Sequence, residues 1–166
     1  MKKHRIITLG YAGGQICNTL LLKGVDAGCL EHFGTDPIQS GYLNIKDKFV
    51  LRKSKVGVES TDYKVMDELF KTYLDEFKQV IEPNICYFLV CGLGGRTGAG
   101  LAVNLTKLLI EQKKEFSYWL LYLSDLRENE DFLMLYELFQ SWNLSPGISL
   151  FLFNWKKLGP KTRYEG

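Results

Sequence analysis

The sequence lacks the features that would mark a secreted, membrane-spanning or nucleic-acid-binding protein. No apolar run is long enough to cross a bilayer, and Met1-Lys-Lys-His-Arg5 is followed by a short apolar segment that does not resemble a signal peptide. The formal net charge of +2 over 166 residues gives no basis for binding nucleic acid or an acidic membrane. We therefore predict a soluble, cytoplasmic chain with neither a nucleic-acid nor a membrane partner.

Cysteine and histidine are also scarce. The four cysteines form no Cys-x-x-Cys pair, so we expect buried thiols and neither zinc ligands nor disulfides. Cys86 and Cys91 are an odd number of residues apart on one predicted strand, which points them to opposite faces. His4 and His32 have no partner at a catalytic spacing and are predicted to be surface or strand histidines. No metal site and no catalytic residue follow from these residues.

The composition that remains is that of an ordinary globular protein, with 46% apolar and 24% charged residues. This length suits a single domain with a sizeable core. We predict one domain over residues 1–158 and a basic, solvated tail over residues 159–166.

The most informative stretch is an apolar strand followed by a glycine-rich segment. Cys86–Cys91 is apolar without alternation, as in a strand buried on both faces, and Gly92–Gly100 holds five glycines in nine positions. An amphipathic helix is predicted from Leu101 to Gln112. A glycine loop before a helix start can bring backbone N–H groups close to an anion, so we predict a phosphate site. The alternative is a connection that is rich in glycine only because it packs tightly.

The amino-terminal segment repeats this arrangement. Arg5–Leu9 is predicted to be a strand, Gly10–Gly14 a loop, and a helix follows from about Gln15 to Lys23. If the two strands are parallel, both loops lie at the carboxyl edge of one sheet.

Two common nucleotide-binding motifs are excluded. No Lys-Ser or Lys-Thr follows a suitably spaced glycine pair, so the chain has no Walker A loop. The dinucleotide fingerprint Gly-x-Gly-x-x-Gly meets Thr97 at the central loop, and it meets Ala12 and Gln15 at the first loop. A nicotinamide-binding domain, with Glu31 as its ribose-binding acid, is left as a weak alternative.

Gly94-Gly-Arg-Thr-Gly-Ala-Gly100 resembles the Gly-Gly-Gly-Thr-Gly-Ala/Ser-Gly loop of the tubulin/FtsZ superfamily, with one departure at Arg96. Gly13-Gly14-Gln15 and Asn18 are similar to the first nucleotide loop of FtsZ-like or TubZ-like proteins. Gly34-Thr35-Asp36 resembles the family's Asn-Thr-Asp loop, with glycine in place of asparagine.

The resemblance implies a GTP or GDP ligand, with Mg²⁺ held through the phosphates and water. It places Gly57 opposite the γ-phosphate and Glu128 at the ribose, while Gln15 and Asn18 are as well explained by capping or solvent exposure. The full predicted site consists of Gly10, Ala12, Gly13, Gly14, Gln15, Asn18, Thr35, Asp36, Gly57, Gly92, Gly94, Gly95, Arg96, Thr97, Gly98 and Glu128.

The predicted fold is α/β, a doubly wound, mostly parallel, Rossmann-like sheet with strand order 3-2-1-4-5-6 and helices on both faces. Further helices are predicted over residues 61–81 and 132–142, and further strands over residues 117–123 and 146–153. The apolar stripe along one face of the helix predicted at 61–81 is expected to pack in the core.

The resemblance implies the GTP-binding domain of a filament-forming protein whose hydrolysis is completed by a second domain, so we expect this chain to bind GTP without turnover. Its partners would be other copies of itself or a full-length relative. The alternative is a non-enzymatic regulator that binds nucleotide or a filament end.

Overall fold

The computed structural model describes residues 3–52, 63–92, 96–122 and 150–154 of the chain. The predicted helix at 132–142 therefore lies outside the described residues. The described elements, in chain order, are β1 (Lys3–Leu9), α1 (Gly10–Leu22), a 3-10 turn (Ala27–Cys29), β2 (Leu30–Gly34), α2 (Pro37–Gly41), β3 (Asp47–Val50), α3 (Tyr63–Thr72), α4 (Leu74–Gln79), β4 (Ile85–Gly92), α5 (Arg96–Glu111), β5 (Glu115–Tyr122) and β6 (Leu150–Asn154).

The six described strands form one sheet in the order β3-β2-β1-β4-β5-β6. Every neighbouring pair is parallel. The predicted fold class and strand order are confirmed. Since β1 and β4 are neighbours at the centre, the segments that follow them, α1 and α5, begin side by side at the carboxyl edge of the sheet.

Hydrophobic residues cover both faces of this sheet, because its strands are buried between helices. On one face, Ile7 and Leu89 pack with side chains of α3, α4 and α5. On the other, Leu30 and Val90 pack with Cys17 of α1 and its neighbours. The alternation along β4 thus sends successive side chains into two different cores.

The apolar stripe predicted over residues 61–81 is core, but it lies on two helices and not one. The helix is interrupted at Tyr73, between α3 and α4. The Tyr73 hydroxyl accepts a hydrogen bond from the Arg52 backbone N–H at 3.0 Å, which ties this point to the end of the β3 segment. Phe77 of α4 stacks on Phe33 of β2 with ring centroids 4.1 Å apart. Periodicity alone could not show this interruption, since both helices keep the same buried face.

Two predicted helix starts were wrong. α1 begins at Gly10 and not at Gln15, and α5 begins at Arg96 and not at Leu101. Some of the glycines that suggested loops, Gly10, Gly13 and Gly98 among them, lie near the starts of these helices, where they allow close contact with neighbouring backbone: a Cβ on Gly13 would lie 2.3 Å from the Val90 carbonyl oxygen.

The cysteines and the membrane prediction can also be compared with the structure. None of the four cysteines, all of which are described, forms a disulfide. Cys17 and Cys91 are buried, but Cys29 and Cys86 are only partly so, which corrects the expectation that all four are buried. None of the helices in the described part of the chain has the length and apolarity needed to cross a bilayer.

Candidate functional site

The starts of α1 and α5 meet at the carboxyl edge of the sheet. Gly10 has φ of +70°, a backbone conformation that residues other than glycine rarely adopt. A Cβ at this position would lie 2.9 Å from the Gly98 backbone nitrogen. A Cβ on Gly98 would in turn lie 2.9 Å from the Leu9 carbonyl oxygen. The two helix starts are therefore in backbone contact, which only glycine permits.

The electrostatics of this corner suit an anion. Neither α1 nor α5 has an acidic residue in its first turn. Leu9, which precedes α1, makes no side-chain cap hydrogen bond to that helix. The first N–H groups of a helix carry the positive end of its dipole, and here two such ends converge. A phosphate group fits this arrangement.

A cavity of about 30 Å³ lies beside the helix starts. It has room for about two water molecules, so it is one corner of the candidate site and not the volume of a whole nucleotide. Its lining residues come from the ends of β2 and α2 and from the starts of α1 and α5: Gly10, Tyr11, His32, Gly34, Thr35, Asp36, Gln39, Ser40 and Thr97.

Two hydroxyl groups join the β2 loop to α5 across this cavity. Thr35 Oγ1 and Thr97 Oγ1 are 3.2 Å apart and share a hydrogen bond. Asp36 caps α2, since its Oδ1 accepts hydrogen bonds from the N–H groups of Ile38 at 2.8 Å and Gln39 at 3.1 Å. Asp36 thus has a structural role at the wall of the cavity, with Oδ2 left outside these two bonds.

His32 forms the floor of the cavity. It is only 1% exposed, and burial lowers its pKa to about 4, so the ring is neutral at pH 7. Its Nδ1 lies 2.7 Å from the Thr8 hydroxyl, and its Nε2 lies 3.3 Å from the Ser40 hydroxyl. The expectation of a strand histidine holds for His32, but a surface position does not.

Four of the predicted site residues line the cavity together: Gly10, Thr35, Asp36 and Thr97. Others lie behind it and pack the helices on the sheet. A Cβ on Gly14 would meet Leu43 Cδ1 at 2.4 Å, and one on Gly92 would meet the Ala12 Cβ at 2.7 Å. Together with Gly13 and Gly98, these glycines are explained by packing, and any contact they make with a ligand stays a prediction.

The two predicted site residues with amide side chains, Gln15 and Asn18, differ in their surroundings. Asn18 is used within the fold, because its Oδ1 accepts a hydrogen bond from the Asn44 backbone N–H at 2.6 Å. Gln15 is partly buried in α1 and is not among the residues that line the cavity.

Four of the predicted site residues lie outside the described residues: Gly57, Gly94, Gly95 and Glu128. Arg96 is the first residue of α5, so its backbone is helical and the left-handed conformation of a loop glycine is not required of it. This accounts for arginine at a position where the similar family motif has glycine.

Glu31, the acid of the nicotinamide alternative, does not reach the candidate site. It pairs in register with Ile7 near the start of β2, away from the carboxyl edge of the sheet. Its carboxylate forms an ion pair with Arg5. The position of Glu31 removes the main argument for that alternative.

The cavity includes residues that were not singled out from the sequence: Tyr11, His32, Gln39 and Ser40. One signal was available. Gly34 stands where the similar family motif has asparagine, and a Cβ on Gly34 would lie 2.7 Å from both His32 Nε2 and Ser40 Oγ. The imidazole and hydroxyl occupy the space that a side chain at position 34 would need.

No protein-family model and no curated protein sequence matches the chain. The chain does have the tubulin/FtsZ-like fold. It is similar to the FtsZ dimer of M. jannaschii, with a TM-score of 0.72 and 18% identity over 100% of this chain and 49% of that one.

Two further structures show the same likeness. A GTPγS-form protofilament of TubZ from Bacillus thuringiensis serovar israelensis has a TM-score of 0.67 and 15% identity, over 99% of this chain and 51% of that one. CetZ from Methanosaeta thermophila has a TM-score of 0.66 and 12% identity, over 93% and 46%. The chain thus spans about half the length of these proteins.

Proposed function

We propose that these residues form the GTP-binding part of a filament-forming, tubulin/FtsZ-like protein. The observation that carries the proposal is the contact between the starts of α1 and α5 at Gly10 and Gly98, beside a polar cavity at the carboxyl edge of the sheet. The similarity to a TubZ protofilament in its GTPγS form supports GTP over other nucleotides.

The described residues offer hydrogen-bond donors that suit the phosphates of a nucleoside triphosphate. The first N–H groups of α1 and α5 bind phosphate oxygens, and the Thr97 hydroxyl adds a donor at the start of α5. Mg²⁺ would be held by phosphate oxygens and water, as this ion commonly is, and Asp36 Oδ2 would accept a hydrogen bond from that water.

Self-association belongs to the same proposal. Ile38 and Tyr42 lie one turn apart at α2, next to the cavity, and are 69% and 72% exposed. Large exposed side chains at this edge suit contact with another polypeptide. The similar structures include a dimer of FtsZ and a protofilament of TubZ, which supports a second copy or a full-length relative as the partner.

A thermal-shift comparison of GTP, GDP, ATP and NAD tests the proposal. A ligand at 100 times its Kd should add about 2.7 kcal/mol of stability, so guanine nucleotides should raise the unfolding temperature by several degrees and NAD should not. Absence of stabilisation by GTP, or stronger stabilisation by NAD, would refute GTP binding.

A matched pair of variants locates the site. Thr97→Val removes the hydroxyl at the start of α5 and should weaken GTP binding about tenfold, as expected for a hydrogen bond to a charged group. Thr72→Val is the control, because that hydroxyl bonds to the Glu68 carbonyl on α3, away from the cavity. Equal affinity in both variants would move the nucleotide away from Thr97.

A further inference from the structure

We infer that Thr8, His32 and Ser40 form a directed chain of hydrogen-bond donors that ends in the cavity and binds a phosphate oxygen of the nucleotide. This inference rests on the proposed function, since it assigns contacts within the same site. Ser40 would touch the ligand, and His32 would be a positioning residue behind it.

The direction of the chain follows from Thr8. Its side chain is fully buried, and its hydroxyl has no hydrogen-bond partner other than His32 Nδ1 among the described residues. If Nδ1 carried the proton, the Thr8 hydroxyl proton would be buried without an acceptor, which is costly. Thr8 therefore donates to Nδ1.

The proton of the neutral ring is then on Nε2. From there it points to Ser40 Oγ, 3.3 Å away. With its oxygen accepting from His32, the Ser40 hydroxyl is free to donate its own proton into the cavity that both residues line. The outer end of the chain is therefore a donor, which suits an oxygen that carries negative charge.

Two glycines leave the space that the His32 ring occupies. A Cβ on Gly14 would lie 3.1 Å from His32 Cε1, and one on Gly34 would lie 2.7 Å from Nε2. Side chains at either position would displace the imidazole, so α1 and the end of β2 are both shaped around it. The similar family motif has asparagine at position 34, whereas here His32 and Ser40 occupy the space beside Gly34.

The charged groups around the chain are compatible with an anion. Lys48 is close enough to help lower the pKa of His32. Asp36 lines the same cavity, but its Oδ1 accepts two backbone N–H groups, which offsets part of its charge.

Substitutions at Ser40 and His32 test the chain through Mg-GTP and Mg-GDP affinity. Ser40→Ala removes the terminal donor and should weaken binding of at least one of these nucleotides about tenfold. His32→Gln and His32→Met are matched in length, but only glutamine offers an amide N–H to Ser40. Glutamine should keep affinity within about threefold, whereas methionine should lose about tenfold. His4→Gln is the control at an exposed strand position.

Nitrogen NMR of the wild-type chain gives a second readout that needs no substituted cavity. The two histidines give few signals, and His4→Gln assigns them. The His32 ring should be protonated on Nε2, and Mg-GTP should shift the Nε2 resonance. A ring protonated on Nδ1, or unchanged affinity in Ser40→Ala with both nucleotides, would overturn the donor chain while leaving GTP binding intact. Failure of the wild-type chain to bind either nucleotide would overturn both proposals.

Discussion

Two buried groups should give the domain opposing dependences of stability on pH. Burial raises the pKa of Glu31 to about 7, although Arg5 beside it acts in the other direction. One oxygen of this carboxylate, Oε2, is buried with no hydrogen-bond partner among the described residues. Burial also lowers the pKa of His32 to about 4. Both shifts favour the neutral form of the side chain in the folded state.

The signs of the two effects are opposite. Between its ordinary pKa of 4.5 and about 7, Glu31 binds a proton in the folded state only, so its contribution to stability falls as the pH rises. Between about 4 and its ordinary 6.5, His32 binds a proton in the unfolded state only, so its contribution rises with pH. The free energy of unfolding changes by about 1.4 kcal/mol per pH unit in these intervals, so each of the two groups changes it by at most about 3 kcal/mol. From pH 4.5 to 6.5 the two nearly cancel.

Urea unfolding of the wild-type chain, Glu31→Gln and His32→Gln at several pH values between 4.5 and 7.5 separates the two effects. Relative to the wild type, Glu31→Gln should gain up to about 3 kcal/mol as the pH rises through this range. His32→Gln should lose a similar amount between pH 4.5 and 6.5. The surface pair Asp67–Lys71 offers the control Asp67→Asn, whose difference from the wild type should follow neither trend. A shift of both buried-site variants in the same direction with pH would contradict the opposite signs expected for Glu31 and His32.

Two further predictions concern glycines. Gly13→Ala should destabilise the fold by about 1 to 3 kcal/mol, since its Cβ would meet the rigid Val90 carbonyl, whereas Gly41→Ala, with nothing within 4 Å, should be near neutral; similar unfolding temperatures for the two would contradict the packing argument. Gly34→Asn should be strongly destabilising alone and less so together with His32→Ala, which removes one of the two groups within 2.7 Å of the new Cβ. A double-mutant cycle that shows no coupling between positions 34 and 32 would place the ring elsewhere.

The sheet could be predicted well from the sequence. The run Cys86–Cys91 has no polar residue, and this pattern requires burial on both faces, which the central strand β4 provides. Strands followed by glycine-rich helix starts imply right-handed parallel crossovers, and the Rossmann-like, doubly wound class gives the strand order. These features depend on patterns that extend over many residues.

The helix starts could not be predicted, because a glycine has two uses that look the same in a sequence. Gly10 adopts a positive φ, as a loop glycine does, but Gly13 and Gly98 are inside helices and permit contact with strand carbonyls. Which use applies depends on the distance between elements, and a sequence does not contain that distance. The stretch Gly10–Gly14 was therefore interpreted as a loop.

The floor of the cavity was missed for a related reason. His32 has no catalytic spacing to its partners in the sequence, since Ser40 is 8 residues away and Thr8 is 24 residues away on another strand. Only the parallel register, in which Thr8 pairs with His32, brings the two side chains together. Glycine at position 34, where the similar family motif has asparagine, was visible, but the sequence does not show that the His32 ring and the Ser40 hydroxyl occupy the space beside it.

A final prediction concerns turnover. Hydrolysis of GTP needs a positioned water and, in most cases, a group that accepts its proton at a pKa near the working pH. Among the described residues, the titratable groups that line the cavity are Tyr11, His32 and Asp36. His32, with a pKa of about 4, is a poor base at pH 7, and in the donor chain its Nδ1 already accepts the Thr8 proton. Asp36 Oδ1 is engaged by two backbone N–H groups, and its Oδ2 is the proposed acceptor for a Mg²⁺-bound water.

We therefore expect the 166 residues to bind Mg-GTP and to release phosphate only at the background rate, at any concentration of the chain. The described residues offer phosphate binding and electrostatic stabilisation, and the resemblance to tubulin and FtsZ implies that a second domain completes hydrolysis. Phosphate release should rise when a polypeptide with the second half of an FtsZ-like or TubZ-like protein is added. Steady release by the chain alone, lost in Thr97→Val and retained in Thr72→Val, would show that the residues are a self-sufficient GTPase with a proton acceptor of their own.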